Sequence, residues 1–77
     1  MNAERRKKLK EVIDNLDTAL SSIEEIKDEE QDSYDNLPEG IQGGERGDQM
    51  QENVDNLDTA YSDLDDVISK LQEVIDA

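Results

Sequence analysis

Apolar residues recur every seven positions in two long stretches of this sequence, and that period constrains the fold more than any other feature. Residues three, four and seven apart lie on one face of an α-helix, so three adjacent columns form an apolar stripe. The pattern predicts two long amphipathic helices. The first column contains Leu9, Leu16, Ile23, Met50, Leu57, Leu64 and Leu71; the second contains Ile13, Leu20, Tyr34, Val54, Tyr61, Ile68 and Ile75; the third contains Val12, Ala19, Ile26, Ala60, Val67 and Val74.

The second stretch repeats the first at an offset of 41 residues. The six residues from Asp14 to Ala19 return unchanged at 55–60, and the apolar positions on either side stay apolar. A chance match between two acidic, leucine-rich helices is the alternative, but an unbroken identity in one register argues against it. The repeat therefore indicates two copies of one helix, joined by a loop.

The fold class that this pattern predicts is all-α, a single antiparallel helical hairpin over residues 1–77. We expect one helix over about 3–36, a loop over about 37–44 and a second helix over about 45–76, because Pro38 disfavours helix at Leu37 and a short loop makes the helices antiparallel neighbours. Paired residue numbers should sum to about 81, which places Leu20 opposite Tyr61. Leu37 and Ile41 are expected to fold back over the open end of the helix pair.

A three-column stripe is wider than a pair of helices can cover, so the hairpin is expected to associate with itself. Two hairpins would form a four-helix bundle, in a homodimer or a larger oligomer. Ala19 is small enough for a neighbouring helix to approach closely. The residues assigned to the core and to self-association are Leu16, Ala19, Leu20, Leu57, Ala60, Tyr61 and Leu64.

The charge balance limits the partners. Twenty-two acidic residues against eight basic ones give a net charge of −14, which argues against direct binding to DNA, RNA or an anionic membrane and favours a basic protein partner. No apolar run reaches transmembrane length, so we expect a cytoplasmic protein. The chain has no cysteine, which excludes disulfides and thiolate chemistry, and no histidine, which removes the usual base and the commonest transition-metal ligand.

Five of the eight basic residues lie within the first ten positions. Positive charge at a helix N-terminus opposes the helix dipole, so the cluster needs compensation. We expect the C-terminal end of the second helix to lie alongside and to supply it, through Asp63, Asp65, Asp66, Glu73, Asp76 and the chain terminus. Binding of an anionic ligand by the basic cluster is the alternative.

No motif predicts catalysis, a metal site or a cofactor. We interpret the carboxylates as a solvent-exposed helix face. The acids between Asp28 and Glu39 do not have the spacing of an EF-hand loop. The glycines of the loop form neither a dinucleotide fingerprint nor a P-loop, although a glycine-rich helix start beside Arg46 is a weak candidate for anion binding. We therefore predict that the protein is not an enzyme.

Three segments resemble a known group of proteins: residues 28–31, residues 34–39 followed by Gln42, and Glu45-Arg46. They are similar to small acidic two-helix proteins encoded by phages, prophages and other genomes of Gram-positive bacteria. The resemblance covers most of the chain, and the loop is its most specific part. It implies an origin in a mobile element of a bacterial host and implies no activity.

Three functions remain open. The first is a non-catalytic interaction or scaffold protein that docks a partner protein through its loop end, with Tyr34, Leu37, Glu39, Ile41 and Arg46 as the candidate contacts. The second is a nucleic-acid mimic that inhibits a DNA-binding protein or nuclease of the host. The third is an oligomeric sponge for a small anionic ligand. The acidic face that mimicry would use consists of Glu24, Glu25, Asp28, Glu29, Asp32 and Asp35.

Overall fold

The computed structural model describes all 77 residues and contains two long antiparallel helices with a short helix between them. The elements are α1 (Ala3–Asp35), α2 (Glu39–Gln42) and α3 (Glu45–Asp76), and the rod measures 59 × 15 × 12 Å. Helices α1 and α3 pack along their length, and there is no strand. The predicted all-α helical hairpin is confirmed. The single-turn helix α2, inside the loop, was not predicted.

The ends of the helices follow from local chemistry. The side-chain oxygen of Asn2 accepts a hydrogen bond of 2.8 Å from the backbone N–H of Arg5, which satisfies one of the unpaired donors at the start of α1. Helix α1 ends at Asp35, one residue before its predicted end, and Pro38 has a φ of −57° at the start of α2. Gly44 is the N-cap of α3 and provides no side-chain hydrogen bond.

The core between the helices is built from the first and second columns. Ile13 and Leu20 of α1 and Ile75 of α3 are buried, and the other apolar members of these two columns are half-buried. All members of the third column are exposed. Ala19 and Ala60 were predicted to belong to the core and to self-association. In the hairpin they are not part of the core, and their role in self-association stays a prediction.

Cross-helix hydrogen bonds fix the register of the two helices. A guanidinium N–H of Arg6 donates to the backbone carbonyl of Ala77 at 3.2 Å, and the side-chain amide of Asn53 donates to the Glu30 carboxylate at 2.8 Å. The residue numbers of both pairs sum to 83, against the predicted sum of about 81. The register therefore differs from the predicted one by two residues, and the turn contains α2 instead of a simple loop centred at residues 40–41.

The basic N-terminal cluster does not pair with the acids of α3 as expected. The Arg6 hydrogen bond is to the backbone of Ala77, and Lys8 pairs with Glu4 of its own helix at 3.7 Å. The one ion pair between the long helices joins Lys27 to Asp58. The end of α3 thus lies beside the cluster as expected, at Ala77. The expected pairing with acidic side chains is wrong, because Asp63, Asp65, Asp66, Glu73 and Asp76 are exposed and form no ion pair with the cluster.

Candidate interaction surfaces

The loop end is held by the side chain of Gln42. Its amide N–H donates to the backbone carbonyl of Tyr34 at 3.0 Å and to that of Asp35 at 3.4 Å. These carbonyls are in the last turn of α1, where few helical N–H groups remain to donate to them. The carbonyl of Tyr34 also accepts from the backbone N–H of Leu37 at 3.0 Å. Gln42 therefore ties α2 to the C-terminal end of α1, and the loop end is an ordered part of the fold.

Gly47 fixes the other side of the loop. It is buried in the first turn of α3, and a Cβ atom there would overlap the backbone carbonyl group of Gln42. The α2 backbone thus lies directly against α3 at a position where only glycine fits. By contrast, a Cβ added at Gly40 or Gly43 would meet no atom within 4 Å.

The five predicted partner contacts all lie near this end, but they differ in exposure. Tyr34 and Leu37 are half-buried, whereas Glu39, Ile41 and Arg46 are exposed. Ile41 retains 41% of its accessible surface, so the expectation that it closes the open end of the helix pair is wrong. It lies on the outer side of α2, while Gln42 occupies the inner side against α1 and α3.

A shallow groove of about 470 Å³ lies beside the loop end, between α1 and α3. Asn53 is central to it, because its side chain donates to Glu30 at 2.8 Å and accepts from Gln49 at 2.9 Å. A groove with two carboxylates and one guanidinium is a poor site for an anion. Its lining residues are Glu30, Glu45, Arg46, Gln49, Met50 and Asn53.

The acidic face that was proposed for mimicry is fully exposed on α1. All six of its carboxylates are accessible, and none takes part in an ion pair. Lys27 is the only cation between residues 24 and 39, and it is directed across the hairpin. Its ammonium lies 3.3 Å from Asp58 and 5.9 Å from the ring centroid of Tyr61, so it does not neutralise this face.

Gln42, Gly47 and Asn53 were not among the predicted site residues. A glycine inside a helix is unfavourable by about 1 kcal/mol relative to alanine, so Gly47 carried a signal of close backbone approach. The roles of Gln42 and Asn53 depend on how α2 and α1 pack, and no local pattern in the sequence indicates them. The acidic face, in contrast, follows directly from the helical period.

Comparison of the chain with protein families, with curated proteins and with solved structures finds no match. Neither long helix contains a stretch apolar enough to cross a membrane. No three acidic side chains come together in the way that metal ligands do. The surfaces described above therefore carry the functional argument by themselves.

Proposed function

We propose that this protein is a non-catalytic interaction protein of phage or prophage origin, acting in the cytoplasm of a bacterial host, and that it docks a partner protein through its loop end. The observation that carries the proposal is an exposed apolar side chain on an ordered support. Ile41 faces solvent, while Gln42 and Gly47 fix the backbone beneath it. A rigid apolar anchor binds without the entropic cost of ordering a flexible loop.

The charges around Ile41 favour a basic partner. Asp35, Glu39, Glu45 and Asp48 are exposed near the loop end, and Arg46 is the only cation among them. Rim charges of one sign act mainly on association rate and on the choice of partner, while the apolar centre contributes most of the affinity. The partner surface that fits is therefore a small apolar pocket with lysine or arginine around it.

The test is affinity capture from a lysate of a Gram-positive host at low and at high salt, with the immobilised wild type, Ile41→Ser and Gly40→Ala. Both substitutions are in α2 at exposed positions, so both variants should retain the helicity of the wild type. We expect one partner to remain bound to the wild type and to Gly40→Ala at high salt and to be lost from Ile41→Ser. Equal capture by all three proteins would contradict loop-end docking.

A nucleic-acid mimic is the second candidate, because the carboxylates of the acidic face have no ion-pair partners. Side chains three and four apart on a helix have Cβ atoms about 5–6 Å from each other, so Glu25, Asp28, Asp32 and Asp35 form a regular row of negative charge. Such a row is complementary to a basic channel that holds a phosphate backbone.

Mimicry predicts binding that falls steeply with salt and that DNA competes away. Neutralising Glu25, Asp28 and Asp32 to their amides should abolish it. Neutralising Asp55, Asp66 and Glu73 of α3 changes the net charge equally and serves as the matched control, since these residues are also exposed. If both triple variants lose binding to the same extent, the effect is one of net charge and the mimicry proposal fails.

A further inference from the structure

The third column leaves apolar side chains uncovered on both long helices. Val12 and Ile26 of α1 are 43% and 52% exposed, and Val67 and Val74 of α3 are 46% and 40% exposed. Ala19 and Ala60 are exposed between them. Neither the loop nor either terminus covers these side chains.

These residues lie on one face of the hairpin. An antiparallel helix pair has an approximate twofold axis perpendicular to the plane that contains both helices. Rotation about this axis exchanges the two helices and keeps each residue on the same side of that plane. Because of the 41-residue repeat, each column has the same angular position around α1 as around α3, with Ala19 equivalent to Ala60 and Ile26 to Val67. The third-column face is therefore continuous across both helices: Val12, Ala19, Ile26, Ala60, Val67 and Val74.

The opposite side of the hairpin supports this assignment. The two second columns meet there, where Lys27 spans from α1 to Asp58 and the ring of Tyr61. Lys27 and Tyr61 both occupy the seven-residue register of the second column. On the other side Asn53 bonds across to Glu30 near the loop end, whereas the six apolar residues of the third-column face remain exposed.

The charge around the third-column face differs from that of the rest of the chain. This face is flanked by the residues that lie four positions before each position of the third-column register. They include two lysines and two acids, so their net charge is zero, whereas the chain has a net charge of −14. The excess of carboxylates lies on the other outer surfaces. The flanking residues are Lys8, Asn15, Ser22 and Glu29 on α1 and Gln49, Asn56, Asp63 and Lys70 on α3.

We propose that the third-column face is the docking surface for a second copy of this chain, stacked antiparallel so that the loop end of one hairpin lies over the termini of the other. This stacking places α1 over α1 of the second copy, with Lys8 facing Glu29. A parallel stacking would instead place Lys8 near Lys70 of the second copy. The two Lys8–Glu29 pairs thus form in the antiparallel arrangement alone, and the product is a four-helix bundle. The inference does not rest on loop-end docking, which uses a different surface.

Light scattering at several concentrations tests the face. The wild type should have a mass of about twice the 8.7 kDa of one chain. Ile26→Gln should raise the dimer dissociation constant at least about tenfold, because each dimer loses two apolar contacts at the interface. Ile41→Gln is the matched control, an exposed isoleucine outside the face, and should leave the dimer intact. A monomeric wild type, or equal dimers in all three proteins, would overturn the proposal.

Charge reversal tests the orientation and does not depend on an apolar substitution that unfolds the protein. At low salt, Lys8→Glu should weaken the dimer about three- to tenfold, since two rim pairs change sign. The double variant Lys8→Glu/Glu29→Lys restores both pairs only in the antiparallel stacking and should recover the affinity of the wild type. Failure of the second change to rescue the first would exclude this orientation.

Discussion

The two sides of the hairpin were built from the same repeated pattern, yet one is closed and the other is open. The second columns contain large side chains, such as Leu20 and Tyr61, which pack between the helices, and Lys27 bridges to Asp58 above them. The third columns contain alanines, valines and one isoleucine, all of which face solvent. Two helices cover only two adjacent columns of a three-column stripe, so the third column is available for another chain.

The largest expected effect on stability comes from truncating a buried side chain on the closed side. Leu20→Ala should lower the free energy of unfolding by about 2–4 kcal/mol, because Leu20 is buried between the helices and its removal leaves a cavity. Urea denaturation followed by circular dichroism measures this change. Ile26→Ala removes a comparable side chain from the open side, and in the dilute monomer it should cost less than about 1 kcal/mol. Equal losses of unfolding free energy in the two variants would contradict the difference in packing between the two sides.

A second prediction compares two glycines at the loop end. Gly47→Ala should destabilise the hairpin by about 1–3 kcal/mol, because the added methyl group overlaps the Gln42 backbone and must separate α2 from α3. Gly43→Ala adds the same group where no atom lies within 4 Å. Thermal melts of both variants give the comparison. A Gly47→Ala protein as stable as Gly43→Ala would show that α2 does not pack tightly on α3.

The bridge over the closed side should contribute less. Lys27→Met keeps most of the side-chain volume and removes both the Asp58 ion pair and the contact with the Tyr61 ring. Since 67% of the Asp58 side chain is exposed, the pair is screened by solvent, and we expect a loss of about 0.5–1 kcal/mol. A double-mutant cycle with Asp58→Asn isolates the interaction. A coupling energy of zero would show that the bridge between Lys27 and Asp58 does not help to hold this side of the hairpin closed.

The smallest effect concerns the open side. Asp63 flanks the third-column face near the middle of α3, and antiparallel stacking brings it close to Asp63 of the second copy. Asp63→Asn should therefore tighten the dimer by about two- to threefold at low salt, with no change at high salt. Asp66→Asn, an exposed neighbour on the outer surface, is the control for net charge. A dimer of unchanged affinity in Asp63→Asn would argue against the antiparallel arrangement.

The hairpin itself could be predicted because helical period, repeat and proline position are local properties of the sequence. They placed the end of α1 within one residue of Asp35. The predicted register was wrong by two residues, and the turn contains α2, which packs against both long helices through Gln42 and Gly47. The same short helix turns Ile41 outward, where a simple loop was expected to fold it inward.

The candidate surfaces also differ in how far the sequence alone could predict them. The acidic face of α1 follows from the sequence because every exposed carboxylate position on a helix can be counted in advance. The apolar columns were also apparent, but which of the three would stay uncovered depends on the rotation of the helices in the pair. Ala19 and Ala60 were assigned to the core together with Leu20 for that reason, and only the packing of α1 on α3 separates them.

The most direct test is a pair of distances between spin labels in the self-associated protein. The chain has no cysteine, so Lys8→Cys and Ser22→Cys each provide a single labelling site. At about 1.5 Å per residue, antiparallel stacking about the middle of α1 should separate the two labels at position 8 by about 30 Å and those at position 22 by less than about 20 Å. Similar distances at both positions would indicate parallel stacking, and the absence of any intermolecular distance would contradict the pairing of two hairpins through the third-column face.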